Sequence, residues 1–77
     1  MKSFKVLGPG CKNCLTTAQL IEARAEKLGV EITLEKITDM AAILGFGVMS
    51  TPGVVLNGKV VHVGSVPGAS HVDQWLR

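Results

Sequence analysis

The sequence predicts a small α/β fold, βαβαββα, in which a mixed four-stranded sheet is covered by helices. Three observations predict it. An apolar run and a stretch of helical period lie on either side of the chain break Gly8-Pro9-Gly10. The segment Val30 to Glu35 alternates strictly between apolar and polar residues. Two valine-rich runs flank Asn57-Gly58, the commonest signature of a two-residue hairpin turn.

Taken in order, Ser3 to Leu7 is the first strand, and the glycines and proline that follow end it. A helix begins directly after them. Its small or apolar positions Cys14, Ala18, Ile21, Ala25 and Leu28 recur at spacings of four and three, while Glu22, Arg24, Glu26 and Lys27 occupy other faces. Gly29 is placed to close it as a C-cap. In the second strand, Val30, Ile32 and Leu34 share the buried face. Thr38 and Asp39 open a short helix through Met40 to Leu44, which Gly45 and Gly47 stop. After Thr51-Pro52-Gly53 come the hairpin strands Val54-Val55-Leu56 and Val60 to Val63. In the tail from Pro67 to Arg77, Val72, Trp75 and Leu76 have helical spacing, and Ser70 with Asp73 can form a capping box. A strand-helix-strand opening requires parallel pairing by a right-handed crossover, and the hairpin adds two antiparallel strands.

Seventy-seven residues, 47% of them hydrophobic and 18% charged, make one globular domain over 1–77. Eight basic residues against six acidic ones are scattered, without a basic run, so nucleic acid is not an expected partner. Lys5 interrupts the first apolar stretch before it reaches the length of a signal-peptide core, and no segment approaches the roughly 20 apolar residues of a membrane span. A monomeric cytoplasmic protein, with no membrane partner, is the expectation.

The chemistry of the chain centres on Gly10-Cys11-Lys12-Asn13-Cys14. A cysteine where a glycine-rich loop meets a helix N-terminus faces unpaired backbone N–H groups and the positive end of the helix dipole. Both favour thiolate, the attacking species, so Cys11 is the candidate nucleophile, with Lys12 adding a modest push. Cys14 lies nearly one turn on, within reach of Cys11, and begins the apolar stripe. It is therefore the candidate resolving thiol, more buried and less reactive. Lys12 and Asn13 between them tune the redox potential. The expected cofactor requirement is none, the working group being a reversible Cys11-Cys14 disulfide.

The pair has other readings. It can be a plain buried pair, or it can supply two soft ligands to zinc or monovalent copper in a carrier or sensor. A closed zinc site needs four ligands, and His62 and His71 show no metal-site spacing with the cysteines. Small copper-carrying domains have a strand-helix-strand-strand-helix-strand order, which differs from the order here. No residue is assigned to metal.

With Cys11-Lys12-Asn13-Cys14 after the first strand and Thr51-Pro52-Gly53 before the hairpin, the chain resembles thioredoxin and glutaredoxin, most closely the small redox-active disulfide proteins, over nearly its whole length. The element order is that of a minimal thioredoxin fold. The resemblance implies a thiol-disulfide oxidoreductase, active in electron transport, that exchanges disulfides with a protein partner and is restored by a thioredoxin-reductase-like or glutathione-type reductant. It further implies that Pro52 is cis, that Thr51-Pro52 sits beside the cysteine pair, and that the Thr51 backbone binds an incoming peptide. Met49 can line that groove or fill a core gap. The departures are the Lys-Asn dipeptide, the lack of a tryptophan before Cys11, and a first strand with Lys2 and Lys5 but no acid, so proton transfer is left to solvent. Gly64-Ser65-Val66-Pro67 only partly resembles a glutathione-binding segment, although Lys12 can meet a glutathione carboxylate. His62 and His71 are read as packing or surface residues, and Trp75 as the anchor of the last helix.

Overall fold

A computed structural model describes all residues 1–77. The elements are β1 (Lys2–Leu7), α1 (Lys12–Leu28), β2 (Ile32–Ile37), α2 (Met40–Gly45), β3 (Gly53–Leu56), β4 (Lys59–Val63) and α3 (Ala69–Leu76). They form the expected mixed four-stranded sheet, in the order β2-β1-β3-β4. β1 runs parallel to β2 and antiparallel to β3, and β3 pairs antiparallel with β4. No helix is long and apolar enough to cross a membrane.

The strand alternation divides the core between the two sheet faces. Phe4, Val6 and Val54 pack with Ala18, Ile21 and Ala25 of α1 and with Val72 and Leu76 of α3. Leu7 and Val55 face the other way, onto Ile43 and Val48. Trp75 is half-buried against the larger cluster, which suits an anchoring role. In the turn, Asn57 and Gly58 both take positive φ, 51° and 84°, as a two-residue hairpin turn of this kind requires. The Ser3 N–H also donates to Asn57 Oδ1 at 2.9 Å, tying the turn to β1.

Several boundaries and packing assignments differ from the sequence reading. β2 begins at Ile32, not Val30, because the Val30 N–H donates to the Ala25 carbonyl at 2.9 Å in closing α1 behind Gly29 (φ 68°). The strand then runs to Ile37 in register with Leu7. Leu28 is 44% exposed and lies outside the core. The Ser70–Asp73 capping box does not form: α3 starts at Ala69 with Gly68 as its N-cap and no side-chain cap. The Asp73 carboxylate is instead held by Arg24 of α1 through two 2.7 Å hydrogen bonds. Arg24, read only as lying off the apolar face of the helix, thus joins the two helices. Met49 is 91% exposed and fills no core gap.

Candidate functional site

The cysteine pair stands where the β1–α1 connection turns into the helix. Gly10 takes φ +94°, a conformation that L side chains rarely adopt, and it redirects the chain. Cys11 follows as the N-cap residue in an extended conformation (φ −66°, ψ 163°). Its carbonyl accepts from the Leu15 N–H at 3.0 Å, and its Sγ accepts from the Cys14 N–H at 3.2 Å. The sulfur therefore occupies the place that a Ser or Asp oxygen takes in an ordinary cap, among N–H groups with no intrahelical partner. No acidic side chain lies in the first turn to oppose a negative charge there.

Cys11 and Cys14 are joined as a disulfide with Cα atoms 5.1 Å apart. Cys11 is exposed, as are Lys12 and Asn13, whereas Cys14 is only 5% exposed. The Asn13 carbonyl accepts from the buried Thr17 hydroxyl at 2.8 Å, which stiffens the turn carrying both sulfurs. No group of three or more His, Cys, Asp or Glu lies close enough together to hold a metal ion.

The Thr51–Pro52 peptide bond is cis. Pro52 is buried, and its carbonyl accepts from the Gly64 N–H at 3.0 Å, which binds this segment to the end of β4. Neither the N–H nor the C=O of Thr51 hydrogen-bonds to another backbone group. Gly8 brings the two halves of the site together. A β carbon built there would overlap Cys14 Sγ, lie 3.0 Å from Cys14 Cβ and lie 3.7 Å from Thr51 Cβ. Gly8 was legible in the sequence only as a chain break; its functional requirement is close approach, which no local signal carries.

A small pocket opens on the other flank of Gly8, where Lys36 and Thr38 at the end of β2 meet Val6, Cys14 and Leu15. Sequence reasoning placed neither polar residue at the site: the second strand was read as ending at Glu35, and Thr38 as opening the short helix, whose N-cap is Asp39 alone. Continuing the Ile32, Leu34 alternation by one step would have placed Lys36 on the same face. His62 lies on β4, the edge strand away from β1, and His71 lies on α3. Their rings are 6.4 Å apart, and His62 is 6.0 Å from Trp75 and 3.1 Å from Ser65 Oγ.

An exposed sulfur capping a helix, a buried second sulfur bonded to it and a cis-proline segment across one glycine together suit reversible thiol-disulfide chemistry. A family model for the thioredoxin domain matches residues 2–77. The chain is 29% identical over 77 residues to a thioredoxin of Methanocaldococcus jannaschii, covering 100% of this chain and 88% of that protein. It is 28% identical over 76 residues to a thioredoxin of Methanothermobacter thermautotrophicus, covering 99% of each. The chain belongs to the thioredoxin-domain family and is a thiol-disulfide oxidoreductase of minimal thioredoxin fold.

Proposed function

We propose that the protein reduces disulfides of a partner protein through Cys11 and Cys14, with Cys11 as nucleophile and Cys14 as resolving thiol. The observation that carries this is the asymmetry of the pair: Cys11 is exposed with its sulfur on the Cys14 N–H, while Cys14 is buried. In the reduced protein the Cys11 thiolate attacks one sulfur of the partner disulfide. A mixed disulfide forms, and the other partner sulfur leaves as a thiolate that takes a proton from water. Cys14 then loses its proton and attacks Cys11 Sγ. The intramolecular disulfide forms, and the second partner sulfur is released. Two electrons have passed to the partner, and a reductase of the reductive cytoplasm returns them.

Thr51 offers an N–H and a C=O without backbone partners beside the pair, which supports its backbone bonding with the incoming peptide next to Pro52. Lys12 and Asn13, exposed in the first turn, tune the potential through their charge and polarity near Cys11.

Turnover of a disulfide-linked reporter peptide tests the assignment. Cys11→Ser should abolish it, and Cys14→Ser should accumulate a mixed disulfide visible by mass under non-reducing conditions. Retained turnover in both variants overturns the proposal. Equilibration with dithiothreitol buffers should give a reversible two-electron transition between about −180 and −270 mV. Stoichiometric zinc or copper on the same sample would point to a metal carrier instead.

A further inference from the structure

The hairpin carries an irregularity that brings two distant side chains together. Val55 pairs with Val60 but Val54 pairs with His62, so Val61 is an extra residue in β4, a β-bulge. Strict alternation would set His62 on the face of Val60, which packs against the cluster containing Ile43 of α2. The bulge sets it instead on the face of Val54, where α1 and α3 pack. On α3, His71 and Trp75 are four residues apart and share one side of the helix. Half-buried His62 thus meets exposed His71 with ring centroids 6.4 Å apart, and meets Trp75 at 6.0 Å.

The His62 ring is also held from behind. Ser65 Oγ lies 3.1 Å from its Nε2. With Nε2–H donating to that hydroxyl, the lone pair of the ring is on Nδ1, and a ligating histidine is oriented through its second nitrogen in this way. Metal–nitrogen bonds of about 2.0–2.1 Å put each ring centroid about 3.2 Å from the ion, so two rings on one ion stand about 4.5–6.4 Å apart as the angle between them opens from a right angle to a straight line. The observed 6.4 Å is the upper end of that range. A small rotation of the exposed His71 side chain brings it to the tetrahedral value of about 5.2 Å.

We propose that His62 and His71 form a two-histidine site for a divalent zinc or copper ion, separate from the cysteine pair, with Ser65 orienting His62 and water filling the remaining positions. Imidazole selects these ions over magnesium or calcium, and copper(II) should bind more tightly than zinc. The carboxylate of the same helix, Asp73, is held by Arg24 through two 2.7 Å hydrogen bonds and does not complete the coordination. The ion would link β4 to α3. Because the bulge and the helix packing exist only in the folded chain, binding stabilises the fold.

Oxidised protein, whose sulfurs are both in the disulfide, is titrated with zinc and, separately, with copper(II). One zinc ion should bind per chain, and the imidazole nitrogens of His62 and His71 should shift together in 15N NMR spectra. Zinc at a hundredfold excess over Kd should raise Tm by about 10 °C. One equivalent of copper(II) should quench Trp75, the single tryptophan. His62→Gln and His71→Gln should each abolish the saturable quenching and the rise in Tm, and Ser65→Ala should weaken binding about tenfold. Shifts confined to one ring, or a rise in Tm that survives either glutamine variant, overturn the site. If a variant failed to fold, the NMR titration of the wild-type protein decides alone. Binding that appears only after reduction would place the metal on Cys11 and Cys14, which overturns this site and favours the carrier reading.

Discussion

At the scale of single residues, the site depends on what is missing from one side chain. Gly8 leaves room for Cys14 Sγ between β1 and the Thr51–Pro52 segment, and a methyl group there would overlap the sulfur. Its neighbour is held on a helix packed into the core, so a shift is expensive. Gly8→Ala should destabilise the oxidised protein by about 1–3 kcal/mol, as overpacking does. In a thermal melt this reads as a fall of roughly 4–8 °C in Tm per kcal/mol. An unchanged Tm would show that the cysteine turn yields easily. Gly10 is required for a different reason, its positive φ, since a β carbon there would meet nothing within 4 Å.

At the scale of elements, the attachment of α3 to α1 combines apolar packing with the bidentate Arg24–Asp73 pair. Hydrogen bonding from the Arg24 guanidinium holds the Asp73 carboxyl below its ordinary value, and Arg77 and Lys27 lower it further. A carboxyl whose pKa is depressed in the folded state adds stability above its unfolded pKa and loses that contribution as the pH falls through the folded value. Stability should therefore decline on acidification below the ordinary carboxylate range, about pH 4. Asp73→Asn should be less stable than wild type at neutral pH and should show a shallower acid decline. Urea unfolding followed at several pH values checks both. Parallel curves for the two proteins would mean that the pair contributes nothing.

At the scale of the whole molecule, a redox protein must stay folded in both oxidation states. A chain of this size has a stability of roughly 4–12 kcal/mol. The Cys11–Cys14 bridge closes a loop of only a few residues, for which loop-closure entropy is worth about 2 kcal/mol. The rest comes from the two apolar clusters, one on each face of the sheet, which do not involve the disulfide. Reduction should therefore lower the free energy of unfolding by about 2 kcal/mol or less and leave the protein folded at 25 °C. Denaturant titration of both forms measures this. Unfolding of the dithiol form in plain buffer would make the bridge structural and would be incompatible with a redox couple.

The sequence by itself determined what near neighbours control. Alternation and helical period set the element order, Asn57-Gly58 set the hairpin, and the glycine loop before Cys11 set the thiol at a helix N-terminus, because each depends on backbone preferences within a few residues. The proline's place beside the pair was implied by resemblance, since no local rule assigns it. Only the tertiary structure decided that Asp73 would leave its own helix end for Arg24, 49 residues away, that Gly8 would be wedged between Cys14 and Thr51, and that Lys36 would line a pocket with Cys14. Those outcomes follow from strand register and from how the helices pack on the sheet, and such contacts are fixed by the fit of surfaces distant in sequence.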